Sequence, residues 1–403
     1  MRHRSFLRSM LGAALSVGLL GVAAPAGAVE QPAPRWEREA TATSLGADLA
    51  QLRPGTVLSR VRMHLGPELA AVGTGLRIRY VSTAPDGRHV VVSGAVLTPR
   101  VRRELPGQRD TIAWGHGTDG IADHCAPSLY GNLDTEAEYR VYAQTAASYL
   151  KKGWTVAATD YQGLGTPGPH PYLIGKSEAR GMIDSVRAAR RLDRSLSRDW
   201  VASGHSQGGQ AALFAGEVGS YAKGLRLRGV VGMSAASELD VLAPLTIGTP
   251  GNGYLVIALY GLAAVDPSVH PTELLAAPAR RRLDVLRTGC YSAFMTAFEK
   301  LTPTELVVGG ALPADILRKL GAAGNAAQVA GRAPVLLVHG TADLEVPVFV
   351  ADELAKAYRA KGTKVVLKKY AGVDHNTLPL VSAGDVLRWI ADRFTDRPAP
   401  PSC

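Results

Sequence analysis

Gly204-His205-Ser206-Gln207-Gly208 falls between a short apolar run, Val201-Ala202-Ser203, and an alanine-rich stretch from Gln210 to Ala215. A strand that turns directly into a helix with serine at the tip leaves no room for side chains two residues to either side, so glycine is required there. Such a turn also needs a partner architecture, a sheet whose strands end where helices begin. The surrounding sequence supplies one. Strands are predicted over 75–82 and 89–97, joined at Asp86-Gly87, a strong hairpin signal. Beyond them strands (111–114, 155–159, 200–203, 225–233) alternate with helices (138–151, 178–192, 207–218). That alternation predicts crossover connections and a mostly parallel sheet with helices on both faces.

The alternation stops after Met233 and resumes at the apolar strand 334–339, followed by a helix over 350–361, a strand over 364–370 and a last helix over 378–393. The intervening segment, rich in Ala, Gly and Leu, is longer than one crossover requires. A chain of 403 residues that is 46% hydrophobic also exceeds what one core of about 250–300 residues absorbs. An inserted helical cap over 238–331 satisfies both, with core segments at 29–237 and 332–395 and a tail at 396–403. The most apolar part of the insertion, 254–264, reads either as a buried helix or as part of a substrate-facing lid.

Residues 1–28 carry a basic start with Arg2, Arg4 and Arg8, an apolar run from Met10 to Ala24, and Ala26-Gly27-Ala28. This is the layout of a secretory signal peptide cleaved near Ala28, and the run is short of the ~20 residues that span a bilayer. Its loss lowers the formal net charge from +10 to +7. The remaining Arg and Lys are scattered among acids without RGG runs, finger spacing or an aromatic ladder, so no nucleic-acid partner is expected. A basic secreted chain instead makes transient contact with lipid or anionic cell-surface material. The three cysteines, Cys125, Cys290 and Cys403, lack CxxC spacing, which argues against zinc, and export favours oxidation of two of them. A monomer is expected.

A serine hydroxyl becomes a useful nucleophile only when a base takes its proton, and in this turn the acid and histidine follow in that order along the chain. The strand 334–339 runs into Gly340-Thr341-Ala342-Asp343, and the strand 364–370 into Ala371-Gly372-Val373-Asp374-His375. Asp343 and His375 therefore fall on the same rim as Ser206, where open α/β sheets bind ligands. Glu345 is the rival acid; Asp374, adjacent to the histidine, is poorly placed to reach its Nδ1. The plain alternatives are a turn aspartate and a surface-loop histidine. Oxyanion donors are expected from the N–H of Gln207 and from one of Gly117, Thr118 and Asp119, in the glycine-rich loop after 111–114, with the Asp119 carboxyl able to support that loop. His116 fits loop architecture and His205 packing at the turn. His64, His89, His170 and His270 sit in no acid or metal pattern and are read as ordinary residues. No metal or organic cofactor is implied.

Together these pieces resemble the secretory lipase family of α/β-hydrolases. Beyond the serine turn, the likeness is carried by Cys125-Ala126-Pro127-Ser128, Asp160-Tyr161-Gln162-Gly163-Leu164-Gly165, Asp184-Ser185-Val186-Arg187-Ala188 and Arg287-Thr288-Gly289-Cys290, and runs over roughly residues 75–393. The resemblance implies the α/β-hydrolase fold, a nucleophile, acid and histidine at Ser206, Asp343 and His375, and a disulfide between Cys125 and Cys290. It also implies a secreted carboxylic-ester hydrolase acting on a small-molecule lipid ester. Gln207 after the serine and the His116-Gly117 pair depart from the yeast type and bring the chain nearer a bacterial branch, while Cys403 lacks the partner of that type's second disulfide. A secreted serine peptidase or acyltransferase uses the same three residues, and a non-catalytic lipid- or cell-wall-binding protein is the rival of another class.

Overall fold

The computed structural model describes residues 49–101, 109–130 and 137–399. The predicted leader over 1–28 and the end of the tail, with Cys403, lie outside the described residues.

Nine strands form one sheet in the order β1-β2-β3-β5-β4-β6-β7-β8-β9. β1 (Val57–Arg62), β2 (Gly73–Thr83) and β3 (His89–Pro99) are antiparallel, and β3 meets β5 (Thr155–Gln162) antiparallel. From β5 onward β4 (Arg109–Gly115), β6 (Leu196–His205), β7 (Arg226–Met233), β8 (Val335–Gly340) and β9 (Val365–Tyr370) pair in parallel. This is the α/β-hydrolase fold. The expected hairpin turn forms at Asp86-Gly87, where Gly87 takes φ 91° and the Asp86 carboxylate accepts from the Arg88 N–H at 3.0 Å. β1 was not expected. Its exposed Arg60 and Arg62 give it the polar look of an edge strand rather than an apolar alternation.

The central strands are buried on both faces, which is why they read as unbroken apolar runs. Alternate positions enter two separate clusters: Ala113, Ala202 and Leu337 join one, while Ile112, Val201 and Leu336 join the other. Helices α1 (Ala137–Lys151), α2 (Gly175–Leu192) and α3 (Gln207–Glu217) follow β4, β5 and β6. α8 (Phe349–Ala360) connects β8 to β9. The last helical stretch, expected as one piece, breaks at Ser382, leaving a short turn before α9 (Ala383–Phe394).

Between β7 and β8 the described chain is helical, with α4 (Leu239–Thr246), α5 (Asn252–Ala263), α6 (Tyr291–Phe298) and α7 (Ala314–Gly324). α5 is apolar all round and correspondingly buried, with Leu255, Val256, Ile257, Leu259 and Leu262 at 2% exposure or less. The Asn252 side-chain amide anchors its start by donating to the carbonyls of Phe298 and Leu301. Of the two readings of 254–264 the structure has the buried helix, and Tyr254, Leu255 and Ala258 on it line a cavity at Ser206. The apolar cluster of the sheet continues into these helices through Leu255, Phe294 and Leu320.

Candidate active site

Ser206 stands between β6 and α3 with φ 55° and ψ −117°, a conformation that L residues rarely adopt. Backbone contacts hold it there. Its N–H donates to the Met233 carbonyl at 2.9 Å, and its carbonyl accepts from Gln210 and Ala236 N–H groups. A Cβ at Gly204 would lie 2.1 Å from the Gly208 oxygen, and one at Gly208 would lie 2.0 Å from the Gly115 oxygen. The second contact shows that Gly208 is needed by the neighbouring strand as much as by the turn.

Asp343 and His375 follow β8 and β9, and Gly340 lets their loops touch, since a Cβ there would fall 2.1 Å from the Val373 oxygen. His375 Nδ1 is 2.8 Å from Asp343 Oδ2, while Asp343 Oδ1 accepts the N–H groups of Glu345 and Val346 at 3.0 and 2.8 Å. Burial opposes the Asp343 charge, but hydrogen bonding to His339 and His375 outweighs it and holds the carboxyl well below its usual range. His375 is buried, which disfavours its cation, yet Asp343 and Glu345 together raise its proton affinity above the ordinary value. His205 Nε2 contacts the His375 carbonyl at 3.0 Å, and its own proton affinity is driven down by burial and by His375. Asp374 takes no part in holding the imidazole through Nδ1; it accepts from the Thr377 N–H and hydroxyl.

Glu345, the rival acid, sits on the other side of the ring. Its Oε2 is 3.9 Å from His375 Nε2, its Oε1 accepts from the Asn376 amide at 3.0 Å, and the Tyr254 hydroxyl of α5 donates to Oε2.

Of the three oxyanion-loop candidates, Thr118 lines a cleft with Ser206 and His375. Gly117 packs on Tyr142, whose hydroxyl would be 2.1 Å from an added Cβ. The Asp119 carboxyl faces His116, Oδ2 to Nδ1 2.7 Å, and both side chains are buried. Gln207 begins α3 directly after Ser206. Its side-chain amide donates to Glu178 at 2.8 Å and lies 3.1 Å from His170 Nε2. Sequence reasoning missed both partners. His170 carries no local pattern, and burial pulls its proton affinity down to about 4; burial pushes Glu178 up to about 8. Cys125 and Cys290 are joined by a disulfide, tying the segment that follows the loop after β4 to the start of α6.

Two cavities open at Ser206. One, of about 580 Å³, is walled by Leu239, Leu242, Leu255, Ala258 and Leu320, and Glu345 is the sole charged side chain among its lining residues. The other, of about 260 Å³, contains His375, Asn376, Thr118 and Tyr291. Tyr254 and Glu345 stand in the walls of both.

The family model described as secretory lipase matches residues 136–401. The chain belongs to the secretory lipase family. Within that family it is 25% identical over 309 residues to a secreted triacylglycerol lipase of Malassezia globosa, a match covering 71% of this chain and 64% of that one. The chain thus spans slightly less than two thirds of the length of this relative. It is 28% identical over 379 residues to a Mycobacterium tuberculosis protein described as a probable inactive lipase, covering 86% and 79% of the two chains. Candida antarctica lipase A in its closed state shares the fold with a TM-score of 0.75 at 19% identity, over 89% of this chain and 86% of that one. The rice cell wall degrading esterase LipA from Xanthomonas oryzae shares it at 0.68 and 19%, over 86% and 100%. Among the described residues of this family member, no helix is long and apolar enough to cross a membrane.

Proposed function

We propose that the protein is a secreted serine hydrolase of carboxylic esters that acts on a lipid ester through an acyl-enzyme. The observation carrying this reading is the 2.8 Å contact of His375 Nδ1 with Asp343, beside a Ser206 that shares a cleft with the same imidazole. Asp343 fixes the tautomer that leaves Nε2 free to accept the Ser206 proton. The Ser206 oxygen then attacks the ester carbonyl, and the N–H groups of Gln207 and Thr118 receive the developing oxyanion. Proton return from Nε2 to the alkoxide frees the alcohol, and water repeats the sequence on the acyl-enzyme.

The apolar cavity suits an acyl chain, with the segment between β7 and β8 serving as its cap. The free amino terminus that a peptidase of this type must grip would meet mostly apolar walls there, with Glu345 the sole carboxyl among the lining residues. Leu344, 93% exposed next to Asp343, offers an apolar contact for a lipid surface. Family relatives carry the name secreted, which supports export, and the layout of residues 1–28 puts the cleavage near Ala28. An intact mass for a chain starting at Val29, two hydrogens below the reduced form, is expected for the exported protein.

The decisive experiment pairs a fluorophosphonate probe with p-nitrophenyl esters of two to sixteen acyl carbons, on the mature protein and on Ser206→Ala. Labelling and hydrolysis that both vanish in Ser206→Ala are expected, with the optimum at eight carbons or longer. An unlabelled Ser206 would place the chain with its relative described as probably inactive. Labelling without ester turnover would favour the peptidase or acyltransferase reading.

A further inference from the structure

The two cavities at Ser206 differ in chemistry, and His375 decides which half of an ester each receives. The alcohol must leave on the side of the imidazole, because Nε2 delivers the proton that converts the departing alkoxide to an alcohol. His375 lines the smaller cleft and not the larger cavity. The acyl group therefore occupies the apolar cavity and the alcohol the cleft.

That cleft is polar. Glu345 reaches it from the loop after β8, Asn376 from the loop after β9, and Tyr254 and Tyr291, their hydroxyls 2.7 Å apart, from α5 and α6. The Glu345 side chain is 27% exposed, and each of its oxygens already takes one donor, Asn376 on Oε1 and Tyr254 on Oε2. A carboxyl oxygen accepts two hydrogen bonds, so capacity remains for a donor arriving with the substrate. A hydrocarbon alcohol would bury this carboxyl without offering it a further donor, a cost that an alcohol with its own hydroxyl avoids.

We propose that Glu345, braced by Tyr254 and Asn376, selects the alcohol half of the substrate and favours a polyol ester with a free hydroxyl beside the ester, such as a monoacylated glycerol. The selection rests on the ester-hydrolase reading and adds to it. In the acylation step the Ser206 oxygen bonds the acyl carbon, the bond from that carbon to the alcohol oxygen breaks with its electron pair on the oxygen, and Nε2 returns to that oxygen the proton taken from Ser206. Throughout, Glu345 accepts a hydrogen bond from a neighbouring hydroxyl of the same alcohol. Its position 3.9 Å from Nε2 puts the acceptor beside the reacting oxygen, in reach of a hydroxyl on the neighbouring carbon.

The test compares 1-monooctanoylglycerol with propyl octanoate, an ester with the same acyl chain and a three-carbon alcohol stripped of hydroxyls, both below their aggregation limits. p-Nitrophenyl octanoate, whose leaving group needs no proton, serves as the reference. A kcat/KM ratio of about tenfold in favour of the glycerol ester is expected, the worth of one hydrogen bond to a carboxyl. Glu345→Ala is expected to bring the ratio to within threefold of one, and Tyr254→Phe and Asn376→Ala to lower it in a protein that keeps the carboxyl. A ratio below fivefold in the unmodified protein, or one that survives Glu345→Ala, overturns the proposal. Ser206-dependent turnover of the p-nitrophenyl ester alongside such a result leaves the hydrolase reading standing, whereas its absence removes both.

Discussion

The side-chain amide of Gln207 donates to the buried carboxyl of Glu178 at 2.8 Å, linking the residue after Ser206 to the first turn of α2. Glu178 Oε1 also accepts the Leu173 N–H at 2.9 Å, and its Oε2 is buried with no hydrogen-bond partner among the described residues. The rim that carries Gln207 is thus pinned to a carboxyl whose charge burial opposes.

Glu178 is pushed up to about 8 from an ordinary glutamate value of 4.5. A carboxyl raised on folding is protonated in the native state at pH values where the unfolded chain has released the proton, so stability falls as pH rises between the two values. Between pH 5 and pH 8 the melting temperature is expected to decline, and the decline is expected to shrink in Glu178→Gln, which keeps an acceptor for Leu173 and Gln207 but cannot ionise. Parallel melting curves against pH for the two proteins would refute this role.

Gly208→Ala tests the double constraint on the serine turn. With a Cβ 2.0 Å from the Gly115 oxygen, β4 and α3 must separate, at a cost of about 1–3 kcal/mol or more. Denaturant melts are expected to show that loss, and fluorophosphonate labelling of Ser206 to fall with it, because the same shift moves the loop after β4. Wild-type labelling in a destabilised protein would show that the turn tolerates the displacement.

In the proposed mechanism His375 must be neutral to take the Ser206 proton, and its proton affinity lies above the ordinary histidine value. The acid limb of kcat/KM is therefore expected at a pH above that ordinary value, with activity lost as the pH falls through it. In Asp343→Asn the limb is expected to move down and turnover to drop by about 10⁴, the loss that follows when the partner no longer enforces the tautomer. An unmoved limb would mean that another group governs it.

The serine turn was legible because its constraint is local: Gly204, Ser206 and Gly208 lie within five residues, and the strand and helix on either side announce themselves by composition. Asp343 and His375 were legible because apolar strands mark where their loops begin. The partners of Gln207 were not, since Glu178 and His170 lie 29 and 37 residues away and meet it only through packing. Glu345 was noticed as a rival for Nδ1, but its place near Nε2 depends on Tyr254, 91 residues distant in a helix whose sequence shows only that it is apolar. β1 escaped notice because an edge strand bearing Arg60 and Arg62 has no apolar alternation to display.

The disulfide closes a loop of 165 residues and fixes Cys290 next to Tyr291, whose hydroxyl meets that of Tyr254. Removing a native bridge costs about 2–5 kcal/mol. Cys125→Ser with Cys290→Ser is expected to melt several degrees lower, read by calorimetry. Its effect on the glycerol-ester ratio is expected to exceed its effect on p-nitrophenyl octanoate, because Tyr291 belongs to the alcohol cleft. Equal losses on both substrates would limit the bridge to stability.

Ala258 offers the cleanest probe of where the acyl chain lies. It faces the apolar cavity from α5, with Leu255 on the same wall, and a larger side chain there takes up space without adding a polar atom. Each methylene buried contributes about 0.8 kcal/mol, close to fourfold in kcat/KM when that contact is made in the transition state. Ala258→Phe is expected to leave the four-carbon p-nitrophenyl ester nearly unchanged and to cut the rate on esters of eight carbons or longer by about tenfold or more, displacing the optimum to shorter chains. Because the leaving group is constant along the series, the displacement reports the acyl side alone. A profile lowered uniformly at all lengths would mean that the substitution disturbed Ser206 rather than the chain's path, and an unchanged profile would put the acyl group outside this cavity.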